Sequence, residues 1–384
     1  AWIRDGFGGR WASRATWCYW VNTAVWIPAI YILFAGVFKQ MFFPELSMGG
    51  QIAIGIGLTW VAVAVNVITL DVGKWVPNIG AILKVAIFIA IIIGAIVHVS
   101  HAGMANPLTV ATLTPDWSGS AQYIPAIIYG MLGFELVSAG SEEMKDPARD
   151  VPRAIFISGI VIILLYILGT MAVLAAIPAG DINLVEGLVD TLSLFFGEST
   201  AGKLLVLTLG LGALFTFFSN GVTWALGCNR AAAEAAVEGE LPKIFALEDK
   251  KRGTPVGAAV LMGIVSTLCL LLYGLMSGSN EDLFWSLFAF SAVIFLLPYQ
   301  GMLLTFLKLR RVDADHYRPY RVPGGTITAR LAAGLCMTIL ALSIFLFLYT
   351  PGSGFEWAVV AGVVVTLLVG EVVIRFAENH RKPA

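Results

Sequence analysis

The sequence predicts an all-α polytopic membrane protein, and its composition and hydropathy support that fold class. Hydrophobic residues make up 58% of the chain and charged residues 13%, against about 25% charged residues in soluble proteins. The mean hydropathy is +0.84. Apolar runs of about 20 residues, the length that crosses ~30 Å of hydrocarbon as a helix, recur along the whole chain. No stretch has the composition of a soluble domain, so we expect one transmembrane domain over residues 1–384.

Ten apolar runs qualify as spanning helices. The fourth run differs from the others because glycines and a carboxylate interrupt it. A short surface helix is expected at residues 185–197, between the fifth and sixth spans. The ten predicted spans lie near residues 16–38, 51–70, 79–100, 121–143, 152–178, 201–228, 256–277, 282–307, 328–350 and 355–377.

The distribution of lysine and arginine predicts the orientation of these spans. If the residues before position 16 are cytoplasmic, the outer loops contain only Lys39 and Lys203 of the 24 basic residues in the chain. The other 22 then lie on the cytoplasmic side or within the spans. Basic residues accumulate in cytoplasmic loops of membrane proteins. We therefore expect both ends of this chain to be cytoplasmic, in a bacterial inner membrane.

The interruption of the fourth span is the strongest indication of a binding site. Gly130 and Gly133 lie in the middle of the apolar run, and Glu135 follows. A charged side chain at the centre of a bilayer costs about 2.5–3.5 kcal/mol even on lenient insertion scales. Irregular backbone at that depth is tolerated only where it lines a cavity. The alternative interpretation of the two glycines is close packing between helices, and both uses are compatible.

This break is part of a longer pattern through which the chain resembles the amino acid–polyamine–organocation superfamily of permeases. The resemblance covers nearly the whole chain and implies a five-plus-five inverted-repeat fold with two extra C-terminal helices, in which the first and sixth helices are broken. The residues that carry it are Phe7-Gly8, Trp17, Trp20, Gly133-Phe134-Glu135, the segment 142–154, Asn229-Arg230, the segment 238–242 and Thr254-Pro255.

Taking the broken span as the sixth family helix implies that two family helices are missing before residue 16. Residues 16–100 are then the remainder of the first repeat, 121–307 the second repeat and 328–377 the two additional helices. The rival interpretation is a complete ten-helix protein with repeats at 16–178 and 201–377. It pairs the broken fourth span with the ninth, which has no comparable break, so we favour the first mapping.

The resemblance also implies a substrate site at the break. In the family the α-amino group of the substrate meets carbonyl groups of the sixth helix, which correspond to Tyr129 and Leu132 here. Tyr129 also matches an aromatic gate position, although a packing role is the plainer alternative. Three other residues at the break match pocket positions: Gly130, Gly133 and Phe134. Five residues on other spans also match pocket positions, although ordinary helix contacts are the alternative for each: Asn22, Trp26, Asn220, Thr223 and Ser291.

Two ionisable residues inside the spans are candidates for coupling transport to protons. Burial favours the neutral form of Glu135, and a glutamate that caps the broken helix is the alternative. Lys84 matches a lysine on the fifth helix of sodium-independent family members, and snorkelling toward the membrane surface is its alternative. Glu371 lies four residues before Arg375, a spacing that suits an ion pair on one helix.

These observations favour a secondary active transporter that moves amino acids by alternating access, through exchange or proton coupling. A polyamine or organic-amine antiporter is the alternative. A channel predicts a polar face repeated along several helices, and an enzyme predicts a catalytic cluster near a membrane edge; the sequence has neither pattern. The expected partners are a small amino compound, protons and the lipid bilayer. No motif indicates a nucleic acid, a cofactor, a metal site or an enzyme.

Overall fold

The computed structural model describes residues 2–68, 72–107, 109–114, 121–133, 144–182, 187–318 and 320–380. Nine helices within these residues are long and apolar enough to cross a membrane. This confirms the all-α polytopic class. The helices are α1 (Trp2–Phe7), α2 (Gly9–Phe42), α3 (Met48–Ile68), α4 (Val72–Ala102), α5 (Val110–Leu113), α6 (Ile124–Gly130), α7 (Pro147–Ala176), α8 (Gly187–Phe196), α9 (Thr200–Val237), α10 (Val256–Met276), α11 (Asn280–Val312), α12 (Gly325–Leu348) and α13 (Trp357–Asn379).

The predicted fourth span contains the short helix α6, which ends at Gly130. The helix α8 confirms the short helix expected at 185–197. Strands Tyr349–Thr350 and Gly354–Phe355 form a two-stranded antiparallel hairpin between α12 and α13, with Tyr349 opposite Phe355. The remaining short elements are 3₁₀ turns at Ala121–Tyr123, Ala179–Asp181 and Lys243–Ala246.

Helix α2 forms the centre of the bundle. It packs against α3, α9, α10, α11 and α13. Its side chains are buried on every face over most of its length, and Ile27 and Tyr31 are fully buried. A helix that is apolar all round requires partners all round. The helices around α2 therefore present one face to the core and leave the other apolar face for lipid.

Ion pairs cluster at the end of the bundle where α2 begins and α9, α11 and α13 end. Hydrogen bonds with Glu238 and Glu240 raise the pKa of Arg4, so this guanidinium stays charged. Glu371 pairs with Arg14 of α2, so the pairing with Arg375 suggested by their spacing is replaced by one between helices. The pairs are Arg4 with Glu238 and Glu240, Arg10 with Glu378, and Arg14 with Glu371.

Helix α13 docks on α2 through a close contact at Gly370. The indole nitrogen of Trp17 donates to the Thr366 carbonyl at 2.9 Å. A Cβ added at Gly370 would lie 2.5 Å from the Trp17 indole ring. Overpacking of this kind costs about 1–3 kcal/mol. The Gly370→Val variant is therefore expected to melt several degrees below the wild type in detergent.

Gly334 of α12 offers the matched control, because a Cβ there meets nothing within 4 Å. The Gly334→Val variant should melt with the wild type. Equal melting temperatures for Gly370→Val and Gly334→Val, measured by differential scanning fluorimetry, would contradict the close contact at Trp17.

Candidate functional site

Helix α6 ends at Gly130, inside the apolar run that was predicted as the fourth span. The Met131 N–H donates to the Ile128 carbonyl, and the Leu132 N–H donates to the Tyr129 carbonyl, both at 3.1 Å. These bonds tighten the last turn. Gly133 follows with φ of +106°, a conformation that L side chains rarely adopt. The break therefore lies between Gly130 and Gly133, the two glycines at which it was predicted.

Two tyrosine hydroxyls from other helices bind the backbone on either side of this break. The Tyr166 hydroxyl of α7 donates to the Gly130 carbonyl at 3.0 Å. The Gly133 N–H donates to the Tyr299 hydroxyl of α11 at 3.1 Å. Backbone polar groups that leave a helix in an apolar environment need partners of this kind. The break is thus held from two sides, once through an acceptor and once through a donor.

A cavity of about 490 Å³ lies against the break. Its volume is in the range of small-ligand sites, about 300–1,000 Å³. Helices α2, α4, α6, α7, α8, α9 and α11 all contribute to its wall, which is mainly aromatic and aliphatic. The lining residues are Trp26, Ile30, Lys84, Ile87, Phe88, Ile91, Tyr129, Gly130, Leu132, Tyr166, Leu188, Ala213, Thr216, Phe217, Asn220, Trp224, Phe288 and Phe295.

Tyr129 connects the broken helix to both sides of the cavity. Its ring packs edge-on against Trp26, Phe288 and Phe295, with ring centroids 5.7, 5.1 and 5.7 Å away. Its hydroxyl lies 3.3 Å from the Asn22 amide oxygen and 3.4 Å from the Ser291 hydroxyl. Aromatic pairs in this geometry are worth about 0.5–1.5 kcal/mol beyond their buried area. The ring is therefore well positioned as a wall of the cavity.

The polar groups of the cavity wall are few. The Trp26 indole nitrogen donates to the Asn220 amide oxygen at 2.9 Å, which orients the amide. Lys84 shares one face of α4 with Ile87, Phe88 and Ile91, at the helical spacing, and all four line the cavity. Among the described lining residues Lys84 is the only charged one. The cavity thus combines aromatic faces, one amide, hydroxyls, backbone carbonyls and one ammonium group.

The structure brings most of the predicted site residues together. Trp26, Lys84, Tyr129, Gly130, Leu132 and Asn220 line the cavity. Asn22 and Ser291 are buried behind Tyr129 and contact its hydroxyl.

The remaining predicted residues lie elsewhere. The Thr223 hydroxyl donates to the Ser219 carbonyl within α9 and does not line the cavity. Gly133 adjoins the cavity wall, because a Cβ there would lie 3.4 Å from the Trp224 ring. Phe134 and Glu135 lie outside the described residues.

Sequence reasoning missed several aromatic residues of the wall, including Phe88, Tyr166 and Trp224. Aromatic residues in an apolar helix are not distinguishable from lipid-facing ones by composition. A usable signal exists on α11, where Phe288 and Phe295 flank Ser291 at the spacing that places all three on one face. Since Ser291 was a predicted pocket residue, its face neighbours follow from helical periodicity.

Comparison with known proteins identifies a family and several relatives. The profile of the amino acid permease family matches residues 1–369. The probable agmatine/putrescine antiporter AguD of Lactococcus lactis is 31% identical over 382 residues, which cover 97% of this chain and 81% of the relative.

Two more distant relatives are named for other substrates. A glutamate/gamma-aminobutyrate antiporter of Lactococcus lactis is 24% identical over 92% of this chain and 72% of its own length. The aromatic amino acid transport protein AroP of Escherichia coli is 26% identical over 93% of this chain and 78% of its own length. All three relatives are transport proteins for compounds that carry amino groups.

Proposed function

This chain belongs to the amino acid permease family, and from that premise we propose that it moves amino acids across the membrane by alternating access, with the substrate bound in the cavity beside Tyr129. It is an integral membrane transport protein and not an enzyme. The observation that carries the proposal is the end of α6 at Gly130, a residue that lines an aromatic cavity of about 490 Å³. A helix end of this kind presents backbone acceptors to a charged amine.

The composition of the wall supports a zwitterionic substrate. Backbone carbonyls at Gly130 and neighbouring positions suit an ammonium group, and Lys84 suits a carboxylate. No acidic side chain is among the described residues that line the cavity. Among the described lining residues, the single cation favours a zwitterion over a substrate with two positive charges.

A polyamine or organic amine is the second candidate, and the aromatic wall favours it. Trp26, Tyr129, Trp224 and Phe288 place ring faces or edges around one space. Cations bind over such rings with about 0.5–2 kcal/mol. The similarity to AguD, a probable agmatine/putrescine antiporter, also favours this candidate. A neutral Lys84 is compatible with such cations, whereas a charged Lys84 repels them.

We place the start and the end of the chain in the cytoplasm of a bacterium. The ion pairs of Arg4, Arg10 and Arg14 with carboxylates bring the beginning of α2 and the end of α13 to the same end of the bundle. Basic side chains accumulate on the cytoplasmic side. We also propose, from the mapping of the broken span onto the sixth family helix, that residues 16–100 and 121–307 are parts of two repeats, with α12 and α13 as additional helices.

Counter-flow in proteoliposomes tests the proposed function. Vesicles that contain the protein are loaded with an unlabelled compound and then placed in a solution that contains a trace of the same compound with a label. The panel comprises phenylalanine, glutamate, γ-aminobutyrate, agmatine and putrescine. We expect transient accumulation of label for at least one of them, only when the same compound is inside. Flux that does not saturate, or no accumulation for any compound, would contradict a secondary transporter of amino compounds.

Substitutions of Tyr129 test where the substrate binds. Tyr129→Ala removes the ring that contacts Trp26, Phe288 and Phe295, and should weaken substrate binding at least tenfold, which corresponds to about 1.4 kcal/mol. Tyr129→Phe keeps these ring contacts and loses two long hydroxyl contacts, so it should stay within about threefold of the wild type. The half-saturation concentration for counter-flow measures both. Equal values for the two variants would place the substrate away from this ring.

A further inference from the structure

The hydroxyl of Tyr166 binds a backbone acceptor at the end of the broken helix, beside the cavity. It comes from α7, 36 residues from Gly130 along the chain, and donates to the Gly130 carbonyl at 3.0 Å. Both residues line the cavity, so this hydrogen bond lies at its wall. The sequence predictions assign Tyr166 no role.

The last carbonyl groups of a helix have no partner within the helix. In α6 the Ile128 and Tyr129 carbonyls accept from the N–H groups of Met131 and Leu132. The Gly130 carbonyl accepts instead from a side chain on another helix. Among the carbonyls of this last turn, it is therefore the one whose described partner can leave without unwinding α6.

We propose that Tyr166 is a positioning residue whose hydroxyl holds the Gly130 carbonyl until an ammonium group of the substrate displaces it. The inference rests on the proposed function, because it requires an amine in this cavity. An ammonium N–H forms a hydrogen bond about twice as strong as a neutral hydroxyl does. The displaced hydroxyl is thus the weaker of two donors that compete for one acceptor.

Displacement of the Tyr166 side chain also changes its contact with α4. The Phe88 ring lies 6.4 Å from the Tyr166 ring, centroid to centroid, and belongs to the same helix face as Lys84. At Gly169, one turn along α7, an added Cβ would lie 2.8 Å from Phe88. Helices α4 and α7 are thus closely packed beside Tyr166. Arrival of an amine at the Gly130 carbonyl therefore releases a side chain that contacts the helix carrying the candidate coupling lysine.

The Tyr166→Phe variant tests this competition. It removes the hydroxyl and keeps the ring against Phe88. Since a hydrogen bond of this kind contributes a factor of about 2 to 10 to an equilibrium, the dissociation constants of amines should fall by about 2- to 10-fold. Binding of putrescine, agmatine and phenylalanine to the purified full chain is measured by isothermal titration calorimetry. A hydroxyl with a merely structural role would not yield tighter binding when removed.

Tyr273→Phe is the matched control. The Tyr273 hydroxyl also donates to a backbone carbonyl of another helix, that of Ala358 at 3.1 Å, and it does not line the cavity. This variant should bind the three compounds as the wild type does. Tyr166→Met, which keeps an apolar side chain without a donor, is the second variant if Tyr166→Phe is not stable, and the same direction is expected.

The outcomes separate the inference from the proposed function. If the wild type binds a compound of the panel and the Tyr166 variants bind it equally or more weakly, competition by the hydroxyl is wrong and the proposed function stands. If the wild type binds none of the three compounds and shows no counter-flow, both are overturned. Tighter binding in Tyr166→Phe and an unchanged Tyr273→Phe support the inference.

Discussion

The Gly133→Val variant is expected to lose transport while the protein still inserts and folds. Gly133 has φ of +106°, and a β-branched residue with positive φ is a clear outlier. A Cβ at this position also lies 3.4 Å from the Trp224 ring, and the branched methyl groups of valine extend further toward it. The strain is about 1–3 kcal/mol, and it is relieved by moving the break. Counter-flow should fall at least tenfold.

Gly159 provides the control for this variant. It lies within α7 and an added Cβ meets nothing within 4 Å. Gly159→Val should therefore transport as the wild type does. A Gly133→Val protein with wild-type counter-flow would show that the geometry of the break is not required for transport.

The Lys84→Met variant is expected to separate exchange from uphill uptake. A lysine that lines the substrate cavity can carry a proton in one state and release it in another, and methionine of similar length can do neither. Uptake driven by an imposed pH gradient should fall at least tenfold, to the level without a gradient. At saturating substrate, counter-flow, which needs no net proton movement, should stay within about threefold of the wild type, although its half-saturation concentration should rise because the substrate carboxylate loses a partner.

Lys203→Met is the control, because Lys203 is exposed near the start of α9 and does not line the cavity. Both activities should be unchanged in that variant. If Lys84 only snorkels to the membrane surface, Lys84→Met will behave like Lys203→Met, and the coupling role is wrong. Loss of counter-flow at saturating substrate, together with loss of gradient-driven uptake, would show that exchange itself requires Lys84, and a role in coupling alone would be wrong.

Hydropathy predicted the spanning helices well because the bilayer imposes a length and a composition on each of them. The long helices α2, α3, α4, α7 and α9 to α13 all lie where apolar runs were found. The boundaries were less predictable. Helix α9 continues to Val237, about two turns beyond the predicted span, because the alanine-rich segment at its end extends the helix beyond the apolar run.

The break was predictable because glycine has a specific conformational use. Gly130 ends α6, and Gly133 adopts positive φ three residues later. What the sequence could not indicate is which side chains satisfy the broken backbone. Tyr166 and Tyr299 lie on other helices, and a tyrosine in an apolar run carries no sign of the carbonyl or N–H that it will contact.

Ion pairs between helices were also beyond sequence reasoning. Arg14 and Glu371 are 357 residues apart, whereas Glu371 and Arg375 are neighbours on one helix. The local spacing predicts an ion pair between Glu371 and Arg375. The packing of α13 on α2 through Gly370 instead places Arg14 beside Glu371. Contacts that depend on how two helices dock follow from the tertiary structure and not from spacing.

The substrate is expected to bind beside Tyr129 with its ammonium at the helix break. A structure of the full chain with the compound identified by counter-flow tests it most directly. We expect density between Trp26, Tyr129 and Asn220, with an amine nitrogen within hydrogen-bonding distance of the Gly130 carbonyl and the Tyr166 hydroxyl moved away. Density confined to another cavity, such as the one between α1, α2, α11 and α13 that Phe7 and Gly301 line, would contradict this arrangement.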